Sequence, residues 1–173
     1  MDARYPIGQF TPPQNVTPAL RQQAIETIAE LPSKLRSAVK GLSDAQLDTP
    51  YRDGGWTVRQ VAHHVPESHM NAYVRLKLAL TEKEPTIKPY DEALWAKLPD
   101  AQSPIEVSLS LLESLHERWV RVWRSLQPAG FVRTFRHPER PDVLTVDWLL
   151  FQYAWHGRHH TAHVTELRKQ KSW

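Results

Sequence analysis

Four segments of this 173-residue chain carry apolar side chains at the spacing of an α-helix, and this pattern limits the possible folds most strongly. The predicted helices run from Thr17 to Leu42, from Thr57 to residue 81, from Ser103 to Leu126, and from Thr145 nearly to the C-terminus. Each has one apolar face, which must be buried against another element. The pattern therefore predicts an all-α protein, a four-helix bundle.

The predicted helix starts carry residues suited to capping. Thr17 precedes Pro18, which is well suited to the first helical position. Thr57 and Ser103 each stand three residues before a Gln or a Glu, which is the pattern of a capping box. Thr145 is predicted to cap the fourth helix.

The segments between the helices predict an arm, a crossover and a hairpin. Residues 1–16 hold three prolines and no periodicity, so we expect an extended N-terminal arm that lies on the body or on a partner subunit. Residues 84–100 form a long crossover connection that can join two parallel helices, with one helical turn around Asp91–Leu98. Phe131–His137 alternates like a strand and could pair with Val143 and Leu144 in a short β-hairpin. We expect residues 1–173 to form a single domain.

The composition excludes several classes of function. The chain has no cysteine, which excludes disulfides, thiolate nucleophiles and cysteine-ligated zinc, so any metal must have nitrogen or oxygen ligands. The net charge of +3 is scattered among acids, with no cationic run that would bind nucleic acid. The chain lacks an apolar signal core and any run of the ~20 apolar residues that a membrane span needs. We therefore expect a cytoplasmic protein with no nucleic-acid or membrane partner.

Four of the nine histidines fall within the fourth predicted helix. On a helical wheel His156 and His160 face the core, His163 lies at its margin, and His159 leans to the side, where we expect a surface group or one behind a ligand. The spacing of four residues presents two imidazoles on one face, as in helical metal sites. Because a catalytic site of the zinc type has three protein ligands and an open position, another helix must supply the third.

The second predicted helix offers three further histidines. His69 lies closest to the apolar stripe, His64 lies on its flank, and His63 points nearly away, toward the surface or a position behind a ligand. Periodicity alone slightly favours His69 as the third ligand, although Pro66 can shift the phase of the wheel. A single inward histidine is more often a core residue bonded to a backbone carbonyl, and we favour this interpretation for His69 and His116.

The segments Tyr51–His64 and Trp155–His163 resemble the DinB superfamily, specifically its YfiT branch. The similarity covers nearly the whole chain and includes Tyr5–Gly8 in the arm and Asp48–Pro50 before the second helix. It implies a four-helix bundle, usually a homodimer, with one divalent transition-metal ion per subunit, which we expect to be Zn²⁺ or Ni²⁺. The ligands that it implies are His64, His156 and His160.

The same resemblance implies a metal-dependent hydrolase in which metal-bound water attacks a small electrophilic substrate. One alternative is an S-transferase that uses the metal to activate a low-molecular-weight thiol such as bacillithiol. The second is a non-catalytic, metal-binding stress-response bundle, whose ion would be closed by a fourth ligand such as His69 or His163. Beyond the metal-bound water or thiol the sequence assigns no catalytic group, and Glu67 and His163 are candidates for orienting a ligand or contacting substrate.

Overall fold

The computed structural model describes residues 2–173, which are mostly helical. No helix in this part of the chain combines the length and the apolar character needed to cross a membrane. The described elements, in chain order, are α1 (Pro18–Val39), α2 (Asp44–Leu47), α3 (Val58–Thr81), α4 (Glu92–Trp95), a 3₁₀ turn (Pro99–Gln102), α5 (Ile105–Ser125), α6 (Pro128–Phe131), β1 (Thr134–Arg136), β2 (Val143–Thr145) and α7 (Val146–Lys171).

The four long helices α1, α3, α5 and α7 form the predicted bundle. Both α1 and α3 pack against α5 and α7. The N-terminal residues of α3 and α5 share an apolar cluster with the C-terminal residues of α1 and α7, so α3 runs parallel to α5 and α1 runs parallel to α7. The long connection between α3 and α5 therefore joins parallel neighbours, as predicted from its length.

Three of the four predicted helix caps are confirmed. The Thr17 and Thr145 side chains accept hydrogen bonds from backbone N–H groups of the first turns of α1 and α7. Thr57 and Gln60 form the predicted capping box at the start of α3. These caps satisfy donors that a helix start would otherwise leave without a partner.

The capping box predicted at Ser103 is wrong. Helix α5 begins at Ile105 with Pro104 as its N-cap residue, and no side chain caps it. Ser103 therefore lies one residue too early, and its carbonyl oxygen instead contacts Nε2 of His63 at 2.9 Å.

The hairpin before the last helix is present and shorter than predicted. β1 and β2 pair antiparallel, with Phe135 opposite Leu144. Phe131, predicted to lie in the first strand, instead ends α6, whose first residue is Pro128. Proline fits the first turn of a helix, which explains the helical turn at this point.

Two apolar clusters fill the bundle, and a layer of histidines separates them. The cluster next to the β-hairpin includes Leu76, Trp119 and Leu149, and the cluster next to the start of α3 includes Leu35 and Leu112. All five side chains are at most 1% exposed. At about 1.5–3 kcal/mol for each large apolar side chain buried, these clusters supply most of the stabilisation of the fold. The layer between the two clusters can therefore contain polar side chains.

The N-terminal arm lies on α7 of the same chain, which is one of its two predicted locations. The Gly8 carbonyl accepts a hydrogen bond from Trp155 Nε1 at 3.2 Å. The Phe10 ring packs edge-on against Trp148, with ring centroids 5.8 Å apart. The arm thereby covers the outer face of α7 beside the histidine layer.

Candidate metal centre

The structure brings His64, His156 and His160 together between α3 and α7. One ring nitrogen from each lies within 4.8 Å of the others. Nε2 of His64 is 3.3 Å from Nε2 of His156. Two nitrogen ligands of a tetrahedral ion, each bonded at about 2.0–2.1 Å, are about 3.3 Å apart, so this pair has a spacing that fits a metal ion.

Helix α7 can place its two histidines here because it approaches α1 closely. Gly157 lies between them in sequence, and a Cβ atom at this position would overlap the Leu31 side chain of α1. A larger residue would push the two helices apart. The spacing of four residues then puts His156 and His160 on the same face, toward α3.

All three imidazoles are neutral at neutral pH. Burial lowers the pKa of His64 to about 4, and burial together with the neighbouring histidines lowers the pKa values of His156 and His160 well below 6.5. A neutral imidazole keeps one nitrogen lone pair, which is the group that binds a metal.

A chain of hydrogen bonds selects the tautomer of His156. His116 Nδ1 lies 2.7 Å from the Ile28 carbonyl, which only accepts, so His116 donates from Nδ1 and keeps its lone pair on Nε2. This lone pair accepts from His69 Nδ1 at 3.0 Å, and His69 Nε2 accepts in turn from His156 Nδ1 at 3.1 Å. The remaining lone pair of His156 is therefore on Nε2, which faces His64. Such a partner behind a ligand fixes both its ring orientation and its tautomer.

The same hydrogen bonds show which of two core histidines bonds a backbone carbonyl. His116 bonds a backbone carbonyl, as predicted. His69 does not, because both of its ring nitrogens bond other imidazoles. His69 thus lies behind His156, with no free ring nitrogen for a metal in this arrangement.

His159, His160 and His163 form a second group on the outer side of the layer. One ring nitrogen of each lies within 4.8 Å of the others. All three residues are more than nine-tenths buried, and none of their Nδ1 atoms has a hydrogen-bond partner within residues 2–173. His163 donates from Nε2 to the Arg4 carbonyl at 3.3 Å and stacks on Tyr51.

Two histidines expected either at the surface or behind a ligand are buried, so the surface alternative is wrong for both. His159 is 7% exposed because Trp155 stacks on it and Tyr5 of the arm lies over it. His63 is 5% exposed because the segment before α5 covers it, and its Nδ1 contacts Ser108 Oγ at 2.7 Å. A helical wheel contains the residues of one helix only, so it does not show which other segments cover that helix.

A cavity of about 490 Å³ opens onto the three histidines. Trp56 and Tyr90 form aromatic walls, and His163 also lines it. Glu67 does not line the cavity, and the nearby Asp100 carboxylate contributes to raising its pKa after the larger effect of burial. The structure thus brings His163, and not Glu67, to the candidate site.

Several polar residues of the cavity, chiefly Ser68 and Arg75, were not predicted from the sequence. Ser68 Oγ lies 3.4 Å from His156 Nε2, and Arg75 lines the same cavity further along α3. Both follow His64 on one helical face, at spacings of four and eleven residues. The helical wheel places these residues on the same face as His64, but polar residues beside an apolar stripe are equally typical of a solvated surface.

Comparison with known proteins identifies the family. The profile of the DinB superfamily matches residues 27–164. A protein of Bacillus mycoides (strain KBAB4) is 55% identical over 172 residues, and one of Bacillus thuringiensis subsp. konkukian (strain 97-27) is 56% identical over 172 residues, with 99% of each chain covered in both cases. Each is named "Putative metal-dependent hydrolase".

A solved structure agrees with this assignment. YfiT from Bacillus subtilis, described as "a probable metal-dependent hydrolase with an unusual four-helix bundle topology", superposes with a TM-score of 0.97 and 45% sequence identity. The match covers 100% of this chain and 99% of that chain. The chain therefore belongs to the DinB superfamily, in its YfiT branch.

Proposed function

We propose that this protein is a metal-dependent hydrolase in which His64, His156 and His160 hold one divalent ion at the floor of the cavity. The observation that carries the proposal is the convergence of three neutral imidazoles from two helices on an open cavity. These three neutral imidazoles would hold a divalent ion without cancelling its charge, and the ion would supply Lewis-acid chemistry that lowers the pKa of water toward ~7.

The protein's own residues have separate roles in this proposal. His69 and His116 orient the His156 ring through hydrogen bonds. Trp56 and Tyr90 exclude bulk water and contact the apolar part of a small substrate. The electrophilic centre of the substrate is then held beside the three histidines.

We propose Zn²⁺ or Ni²⁺ as the resident ion. All three ligands are imidazole nitrogens, which suit both metals, and the chain has no cysteine that would favour a softer ion. Elemental analysis of protein purified without added metal tests this point. The expected result is one equivalent of either ion per chain.

The decisive experiment compares metal content and hydrolysis in matched histidine variants. His64→Gln and His156→Gln are expected to lose both the metal and the hydrolysis of a panel of small esters, amides and phosphoesters. His63→Gln is the control, because His63 is an adjacent buried histidine whose two nitrogens contact Ser108 and Ser103 outside the site. Full activity in either ligand variant would contradict the proposal.

Thiol transfer is the second candidate function, and the volume of the cavity supports it. A cavity of about 490 Å³ leaves room for a low-molecular-weight thiol such as bacillithiol beside a small electrophile. Metal-loaded protein is incubated with a model electrophile, with and without bacillithiol, and analysed by mass spectrometry. A thiol adduct that requires the protein would support transfer, and a hydrolysed product formed without thiol would support hydrolysis.

A purely structural ion would have a fourth protein ligand. His69 does not fit this role because both of its nitrogens are hydrogen bonded, which leaves His163, whose Nδ1 has no partner within residues 2–173. If His64→Ala and His156→Ala lose the metal and keep their melting temperature, the structural role is excluded.

We also propose that the protein is a homodimer. The outer surface of the bundle carries exposed apolar side chains on α3 and α5, including Val74 at 50% and Val107 at 65% exposure. Light scattering coupled to gel filtration is expected to give twice the mass of the chain, and a monomer at micromolar concentration would refute this.

A further inference from the structure

We propose that Arg75 forms a carboxylate-binding subsite in the cavity, so that the substrate carries a carboxylate several bonds away from its electrophilic centre. This inference rests on the proposed function and extends it by naming a substrate class. It depends on three observations: the position of Arg75 on α3, the incomplete bonding of its guanidinium, and the charges around it.

Arg75 shares a helix face with the candidate metal ligand. It lies eleven residues after His64 and seven after Ser68, which correspond to about three and two helical turns. All three residues line the same cavity. Because eleven residues rise about 16 Å along a helix, the cavity extends along α3 with the histidines near one end and the guanidinium further along it.

The Arg75 guanidinium has only weak partners. Nη1 donates to Tyr153 Oη at 3.5 Å and Nη2 donates to the Lys88 carbonyl at 3.3 Å. Its Nε is buried, and no hydrogen-bond partner for it exists among residues 2–173. None of the ion pairs within that range includes Arg75.

Some of the other buried or partly buried arginines are paired with carboxylates, whereas Arg52, Arg133 and Arg168 bond only backbone carbonyls within residues 2–173. Arg21 bonds Asp147 at 2.6 and 2.8 Å, and Arg59 bonds Asp48 at 2.6 Å. Arg75 is only partly buried and its bond to the Lys88 carbonyl is exposed, so the free-energy cost falls on Nε, a buried donor without a partner within residues 2–173. An anionic ligand in the cavity would supply an acceptor for it.

The surrounding charges favour a carboxylate over a phosphate. A guanidinium presents two parallel N–H donors that match a carboxylate or a phosphate, so the choice between the two rests on charge. Glu92, Glu139 and Arg52 also line the cavity and together carry one net negative charge, which repels a dianion more strongly than a monoanion. Tyr90 lines it too, and because burial raises the pKa of its phenol, it stays protonated and able to donate at neutral pH.

The test uses probes that bind the metal and reach Arg75 without any turnover. Full-length protein loaded with Co²⁺ is titrated with mercaptoalkanoates of two to six methylenes and with mercaptoalcohols of the same lengths. Thiolate binding is followed by its charge-transfer absorbance. At the best chain length we expect the carboxylate probe to bind at least about tenfold more tightly than its hydroxyl twin.

Three variants assign this preference to Arg75. Arg75→Met is expected to reduce the ratio of the two affinities to within about twofold, and Arg75→Lys to an intermediate value, because lysine keeps the charge and loses the planar fork. Lys77→Met is the matched control, since it removes one positive charge from an exposed position two residues away. It is expected to leave the ratio unchanged.

The outcomes separate this inference from the proposed function. Equal binding of both probe series by wild-type protein overturns the subsite and leaves the metal site standing. Failure to retain cobalt or to give a charge-transfer band overturns the proposed function. Mercaptoalkyl phosphonates that bind more tightly than the carboxylates overturn the choice of carboxylate.

A structural role for Arg75 predicts a different result. In that case Arg75 only ties α3 to the crossover connection through the Lys88 carbonyl. Arg75→Met would then lower the melting temperature and leave the affinity ratio unchanged. If Arg75→Met does not fold, Arg75→Lys decides, and an unchanged ratio in that variant overturns the inference.

Discussion

The two sides of the histidine layer are bonded in opposite ways. On the inner side, His156, His69 and His116 form a continuous chain of hydrogen bonds that ends at the Ile28 carbonyl. On the outer side, the Nδ1 atoms of three buried histidines have no partner within residues 2–173; they belong to His159, His160 and His163. Burial is similar on the two sides, but hydrogen-bond satisfaction is not.

This difference indicates which part of the layer is preorganised. A ring whose partner can only accept has one allowed tautomer, so the inner chain sets the lone pair of His156 before any ion arrives. Buried polar atoms without a protein partner are usually satisfied by water or a ligand. The outer side is therefore where we expect adaptable contacts. The following predictions test that contrast, from the largest effect to the smallest.

The largest effect is expected from removing a candidate ligand. His156→Gln should weaken Zn²⁺ binding by roughly 100- to 1000-fold, since zinc sites bind with about 10–16 kcal/mol shared among about four ligands. Competition with a chromophoric chelator measures the affinity, and His63→Gln serves as the control. A loss of less than tenfold would remove His156 from the ligand set.

Low pH is expected to destabilise the metal-free protein because His116, in the inner chain of hydrogen bonds, is neutral in the folded state. Burial lowers the pKa of His116 to about 4 from 6.5, so the unfolded state binds more protons between these values and stability falls as pH decreases through that window. Between pH 7 and pH 4.5 this one group costs about 2 kcal/mol.

Urea unfolding at the two pH values measures this loss. His116→Gln should lose about 2 kcal/mol less of its free energy of unfolding than the wild type between the two pH values. An equal loss in the variant and the wild type would mean that His116 is not the group that responds.

Breaking the inner chain behind the ligand should have a smaller effect than removing the ligand. His69→Leu should weaken Zn²⁺ binding about 10- to 100-fold, because His156 loses the acceptor that holds its ring. His69→Gln, which can still accept a hydrogen bond, should restore part of the affinity. Unchanged affinity in His69→Leu would show that the chain does not position His156.

The smallest effect is expected at His163, on the outer side. His163→Gln should change Zn²⁺ affinity less than about threefold if His163 only lines the cavity, since a partner that contributes about 0.6 kcal/mol changes affinity threefold. The same chelator competition measures it. A loss as large as that of His156→Gln would make His163 a ligand and would reverse the contrast between the two sides.

The features that the sequence predicted correctly depend on neighbours within about one helical turn. Thr57 and Gln60 cap α3 through a local pattern, and His156 and His160 share a face through a spacing of four residues. The wheel also placed His69 in the core correctly. It slightly favoured His69 over His64 as the third candidate ligand, and only the family resemblance favoured His64.

The features that the sequence did not predict involve segments far apart in the chain. The arm buries His159, the segment before α5 buries His63, and the carbonyl of Ser103 bonds His63 while no side chain caps α5. Hydrophobic periodicity indicates which face of a helix is buried, but not which residues of other segments contact that face. Arg75 belongs to the same class, because its position relative to the histidines depends on the shape of the cavity.

The sequence by itself determined the four helices, most of their caps, the crossover, and the pair His156 and His160, because helix geometry repeats every few residues. Only the tertiary structure decided that His69 lies behind His156, that the lone pair of His156 is on Nε2, and that His64 faces it. These facts depend on hydrogen bonds between α1, α3, α5 and α7. Such bonds have no local pattern, since each partner is placed by the packing of a different helix.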